Sequence, residues 1–172
     1  MGLDITAYSQ LTAAAGNEAF DETGELCGNW IQFSVNPDYP GREDDILHRH
    51  AYKAVAAFSV HAGSYSRYNH WRDQLAALAG YALGHYTRYG KDWPSYAATV
   101  WEDPKLGPFM ELINFSDCEG VIGAKTSAKL AADFAEFQAK ADAHPDDHFR
   151  SKYAEWRKAF EMAANNGAVD FH

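Results

Sequence analysis

Two short stretches of this 172-residue chain concentrate side chains able to do chemistry. The first is Asn114-Phe115-Ser116-Asp117-Cys118-Glu119, closed by Gly120. On an extended segment Asp117 and Glu119 point to the same side. Two carboxylates so placed could bind a divalent cation or share general acid and base work. The competing reading is a turn built by Ser116 and Asp117, with Glu119 solvated, because such local hydrogen bonding is common for these residues. Asn114-Phe115-Ser116 also matches a glycosylation sequon, which carries no meaning in a cytosolic protein.

The second stretch is Gly63-Ser64-Tyr65-Ser66-Arg67-Tyr68-Asn69-His70-Trp71-Arg72. Ser64 and Ser66 offer hydroxyls, and Tyr65 and Tyr68 offer stacking faces. Asn69 and Arg72 lie at a predicted helix start, where an anion or a flat polar ligand is well received. The structural alternative is a Ser/Asn-capped helix with surface tyrosines. The candidate ligand-binding set is therefore Ser64, Tyr65, Ser66, Tyr68, Asn69, Arg72, Asn114, Ser116, Asp117 and Glu119.

Other reactive residues are scattered. Of eight histidines, His48, His50, His61, His70, His85, His144, His148 and His172, only His48-Arg49-His50 forms a close pair, and no H-E-x-x-H occurs. A metal centre needs ligands that converge, so no metal and no cofactor is expected. The rival arrangement sets Asp117 and Glu119 beside His61 or His70 as the shell of a metal-dependent hydrolase. Cys118 as a nucleophile is disfavoured, since flanking acids oppose a thiolate. The phosphate-binding and nucleophile-elbow glycine motifs are missing, which argues against the common nucleotide folds and the α/β-hydrolases.

Fifteen basic against 24 acidic residues give a net charge of −9. With no cluster of Lys or Arg to neutralise phosphates, nucleic acid and anionic membranes are excluded as partners. The balance suits a small polar ligand or a protein partner, and it also admits an acidic imitator of nucleic acid. Cys27 and Cys118 build neither a disulfide scaffold nor a zinc framework. No stretch approaches the 18 apolar residues of a membrane span, and the beginning, Met-Gly-Leu-Asp-Ile, resembles neither a signal peptide nor a good lipidation site. A cytoplasmic protein with reduced thiols is expected.

The elements that must position these residues follow from periodicity. Residues 3–8 alternate as a strand. Residues 9–28 read as loop, with one weak strand at 25–27, and 29–35 read as a strand stopped by Asn36-Pro37. The segment 46–60 is undecided between helix and strand, with a strand favoured over 55–61. Asn69 is the predicted N-cap of a helix whose stripe is Trp71, Leu75, Leu78 and Ala82, closed by Gly80 and Gly84. That stripe leaves Tyr65, Tyr68 and Arg72 more exposed than Trp71. A short helix is expected over 95–101, and residues 109–113 read as a central buried strand. Thr126 or Ser127 should cap a helix carrying Leu130, Phe134, Phe137 and Ala141 as far as His144-Pro145. Asp146 should start another with Phe149, Tyr153, Trp156, Phe160 and Ala163 inward, Gly167 stopping it, before a short strand at 169–171. The expectation is a single α+β domain over 1–172, a mostly antiparallel sheet of three to four strands with about three helices. The loop 114–119 should then sit near the start of the Asn69 helix, where the helix dipole and Arg72 stabilise a carboxylate.

Three pieces together, the Met-Gly-Leu-Asp-Ile start, S-Y-S-R-Y-N-H-W-R, and F-S-D-C-E-G-V-I-G followed by a K-L-x-x-D-F helix, resemble a family of small uncharacterised bacteriophage and prophage proteins. The likeness spans nearly the whole chain. It implies a phage setting, in which small acidic proteins often bind host or defence components, and it implies no activity. The reading that results is a soluble binding protein. It engages a small polar ligand or a host protein through residues 64–72 and 114–120; the metal-dependent hydrolase and an acidic inhibitor of host defence stand as alternatives.

Overall fold

The structure, a computed structural model, describes residues 2–172. In chain order the elements are β1 (Gly2–Ser9), β2 (Thr12–Ala13), β3 (Ile31–Gln32), β4 (Ala51–Lys53), β5 (Ala56–Ser64), α1 (Tyr65–Ala79), β6 (Gly84–Arg88), β7 (Lys91–Ser95), α2 (Tyr96–Glu102), α3 (Met110–Ile113), β8 (Gly120–Gly123), α4 (Ala124–Glu136), α5 (Gln138–Asp142), α6 (Asp147–Ala163) and β9 (Ala168–Phe171). The α+β class is as expected, with more and shorter elements than periodicity reveals.

The main sheet has the order β5-β1-β9-β8 and is antiparallel throughout. Alternation sends Leu3, Ile5, Ala7, Val60, Ala62, Ile122, Val169 and Phe171 to one face, where they join the principal core with the helices. Tyr8, Val121 and Ala168 take the other face and pack with Leu11, Phe33 and Tyr52. There a small sheet, β2-β4-β3, covers them. Asp170 pairs with Thr6 on one side and Val121 on the other. Burial with no compensating charge pushes its carboxyl up to about 7.

The helix α6 forms as its spacing predicts. Asp146 accepts hydrogen bonds from the backbone of His148 (2.9 Å) and Phe149 (3.4 Å), and Phe149, Tyr153, Trp156, Phe160 and Ala163 are buried. Trp156 stacks on Tyr68 and Trp71, each with ring centroids 5.4 Å away. At Gly167 a side chain would collide with the carbonyl of Tyr8, since a Cβ would stand 1.9 Å from that oxygen.

Several expectations are corrected. Residues 109–113 are not a strand: Phe109 has φ 58°, its N–H donates to Asp133 Oδ2 at 2.7 Å, and the chain then turns once as α3. The predicted 126–143 helix breaks at Phe137 into α4 and α5. Its start is capped from outside, by Asp44, which accepts from Thr126 N at 2.8 Å and Thr126 Oγ1 at 3.2 Å. The 29–35 strand shrinks to β3, and 25–27 contributes only a bridge between Leu26 and Phe20. The undecided 46–60 segment yields two strands, β4 and the start of β5. Among the described residues no helix is long and apolar enough to cross a membrane.

Candidate functional site

The helix α1 begins four residues before Asn69. Ser64, in extended conformation, accepts from Arg67 N and is the N-cap, and Gly80 in the left-handed region (φ 89°) ends the helix. Asn69 therefore lies in the second turn, where its side chain is free to reach across. Its Nδ2 donates to Asp117 Oδ2 at 2.9 Å, and its Oδ1 accepts from the Arg72 guanidinium. The 64–72 segment and the loop 114–119 thus meet directly.

Arg72 joins them a second time. Its Nη1 donates to the carbonyls of Phe115 (2.5 Å) and Ile113 (3.3 Å), the latter also accepting from Trp101 Nε1 at 3.0 Å. The guanidinium lies over the Tyr68 ring at 4.5 Å. Both residues are deep in the protein, with Tyr68 1%, Arg72 4% and Trp71 3% exposed. The expectation that Tyr68 and Arg72 stand outside Trp71 is therefore corrected. Positions 68, 71, 72 and 75 form one stripe at i, i+3, i+4 and i+7, and all are buried. Tyr65 keeps part of its surface. Burial pushes the Tyr68 hydroxyl up to about 12.

Beside this junction opens a cleft of about 760 Å³. From α1 come Tyr65, Ser66, Asn69, His70, Arg72 and Asp73; from the loop, Asn114, Phe115 and Asp117. Six of the ten candidate residues line it: Tyr65, Ser66, Asn69, Arg72, Asn114 and Asp117. The other four have different duties. Ser64 caps α1, and Tyr68 packs in the core. The hydroxyl of Ser116 accepts from Cys118 N (3.2 Å) and Glu119 N (3.1 Å), and Glu119 is exposed, so this part of the loop is the hydrogen-bonded turn of the structural alternative. Asp117 and Glu119 do not share a side of an extended strand, because 114–119 is a series of bends.

Sequence reasoning missed the third wall. The hairpin of β6 and β7 contributes Tyr86, Arg88, Pro94 and Ser95, α2 adds Trp101, and Tyr39 closes the remaining side. Tyr86 meets Trp101 edge-on at 5.6 Å, and Tyr39 tilts against Phe115 at 5.1 Å, so two aromatic pairs flank the space. Burial pushes the Tyr39 hydroxyl up, opposed by nearby Arg72 and reinforced by Asp117 and Asp38. Tyr86 and Trp93 face each other in the hairpin, an aromatic pair that offered a signal, but Pro94 and Gly90 masked it as loop. A second hollow of about 520 Å³, lined by Ser66, Arg67, His70, Trp71, Gln74 and His148, borders the first at Ser66 and His70.

Among the described residues no three His, Cys, Asp or Glu side chains gather into a group that could hold a metal ion. His61, offered above as a ligand, pairs at its Nδ1 with Asp4 at 2.5 Å. His70 lines the cleft with Asp117, whereas Glu119 does not. No protein-family model matches the chain, and neither does any curated protein or any solved structure.

Proposed function

We propose that this chain is a binding protein that takes a small polar ligand, or a projecting side chain of a protein partner, into the cleft between α1, the β6–β7 hairpin and the loop 114–117. One observation carries this reading. The hydrogen bond from Asn69 to Asp117 brings the two chemistry-bearing stretches of the sequence onto one concave surface. The volume of the cleft lies in the range of small-molecule sites, and its lining sets five aromatic side chains among nine polar or charged ones, which suits a polar ligand. The phage or prophage setting implied by the sequence resemblance, with a host component as partner, belongs to the same proposal.

A thermal-shift screen of small neutral, cationic and anionic polar molecules tests it, because a ligand that binds only the folded state raises the melting temperature by mass action. Hits are expected in the wild type that vanish in Tyr65→Ala and Asp117→Asn. Asp117→Asn keeps the shape and an acceptor for Asn69 while removing the charge, so its unliganded stability should stay within about 0.5 kcal/mol of wild type. A screen in which no hit responds to either substitution overturns the cleft as the binding site.

A further inference from the structure

We infer that the ligand of this cleft is a planar ring that bears an anionic group, a phosphate or carboxylate; the inference rests on the binding reading above and narrows it. The carrying observation is the state of Arg72. A cation removed from water is costly unless an opposite charge repays it. Yet among the described residues Arg72 makes no ion pair within 4.0 Å, and its partners are the carbonyls of Ile113 and Phe115 and the Asn69 amide. Among the described residues its buried Nε has no hydrogen-bond partner.

Neither acid of the cleft neutralises it. Asp73 is consumed by α2, its Oδ1 accepting from Ser95 Oγ at 2.6 Å and Ala97 N at 3.1 Å. Asp117 is held off by Asn69, whose amide stands between the two charges, donating to one and accepting from the other. The hairpin adds Arg88 to the same cleft, and it too forms no ion pair among the described residues. Arg72 from α1 and Arg88 from the hairpin, neither of them in an ion pair among the described residues, line the cleft together with Asp73 and Asp117, so cations equal acids there in a chain where acids outnumber bases 24 to 15. The aromatic pairs Tyr86 with Trp101 and Tyr39 with Phe115 supply faces for a ring. Asp117 Oδ1, which has no hydrogen bond among the described residues, would accept from an N–H at the ring's edge and repel an anion from that end.

The experiment titrates the full chain with adenosine monophosphate, adenosine and inorganic phosphate, read by calorimetry and by the fluorescence of Trp101. The monophosphate should bind at least roughly 10-fold more tightly than adenosine, the size of one good charge-assisted contact. Raising the salt concentration should narrow the gap. Arg88→Ala, at an exposed position, should leave the melting temperature unchanged and bring the monophosphate down to the level of adenosine. Tyr86→Ala should weaken both. Equal binding of monophosphate and adenosine would overturn the anionic inference while leaving the binding reading intact. Binding of neither overturns the inference also, and the thermal-shift screen then decides the broader reading through its neutral and cationic hits. Retention of the monophosphate preference in Arg88→Ala and in Arg72→Gln together would remove the arginines as its cause.

Discussion

The carboxylate of Asp73 accepts a hydrogen bond from the Ser95 hydroxyl at 2.6 Å, while that hydroxyl itself accepts from Ala98 N at 3.2 Å at the start of α2. One acid on α1 thereby helps cap a second helix and fixes the hairpin that leads into it. Asp73→Ala should cost about 1–3 kcal/mol, the penalty for stranding polar groups that had partners. Ser95→Ala should cost about 1 kcal/mol as a lost cap. Urea denaturation measures both. The double variant is expected to cost more than Asp73→Ala alone but less than the sum, because the two share the bond between them while Ser95 alone holds Ala98 N, and full additivity would show that the shared bond contributes nothing.

Trp156 is the centre of the aromatic core, stacked on Tyr68 and Trp71 and touching Phe160 and Phe171. Trp156→Ala should destabilise by about 3–5 kcal/mol. An unchanged urea midpoint would mean that α6 turns another face inward.

Asp170 gives stability a pH dependence of unusual sign for an acid. Its folded pKa, raised to about 7 from the ordinary 3.8, means that the folded state holds the proton over a range where the unfolded chain has lost it. The contribution is thus complete below the unfolded value and is lost progressively as pH rises towards 7. Wild type minus Asp170→Asn isolates it from the other carboxylates. The stability difference should turn against wild type between pH 4 and 7, with the slope absent in the variant. A difference that is flat across this window would place the carboxyl in water.

At Gly167 the obstacle is close approach. Gly167→Ala drives a methyl into the carbonyl of Tyr8, backbone against backbone, so no rotamer change relieves it. At least the roughly 1–3 kcal/mol of an overpacked site is expected, with looser protection of the β1–β9 amides in hydrogen exchange as the accompanying sign.

The parts of the fold that the sequence made legible are those with long, repeated periods. The spacing of Phe149, Tyr153, Trp156 and Phe160, with Asp146 before it, predicts α6, and the alternation of residues 3–8 predicts β1. Residues 109–113 were not legible, because a short apolar run has no period to measure and its course is set by a distant acid, Asp133, holding Phe109 N–H. The same holds for Thr126, whose capping partner Asp44 lies 82 positions away. In the site, the convergence of 64–72 with 114–117 was expected, but Tyr68 and Arg72 were expected outside. An arginine reads as surface until its carbonyl partners are known, and Ile113 and Phe115 supply them only once α3 has turned. The hairpin wall was lost because its strands are exposed and carry proline, so neither face shows a hydrophobic alternation.

The pairing of β1 with β9 also governs the order in which this molecule can be made. Tyr8 finds its partner at Ala168, roughly 160 residues later, and that ladder lies in the middle of the main sheet. As the chain leaves the ribosome, β1 can zip onto β5 early. Its second edge then waits, with unpaired N–H and C=O groups, until nearly all of the described chain has been synthesised. Such long-range closure slows folding. It also makes nascent fragments that stop short of residue 168 the species most prone to join edge to edge, a hazard that ends when the last strand slides in between β1 and β8.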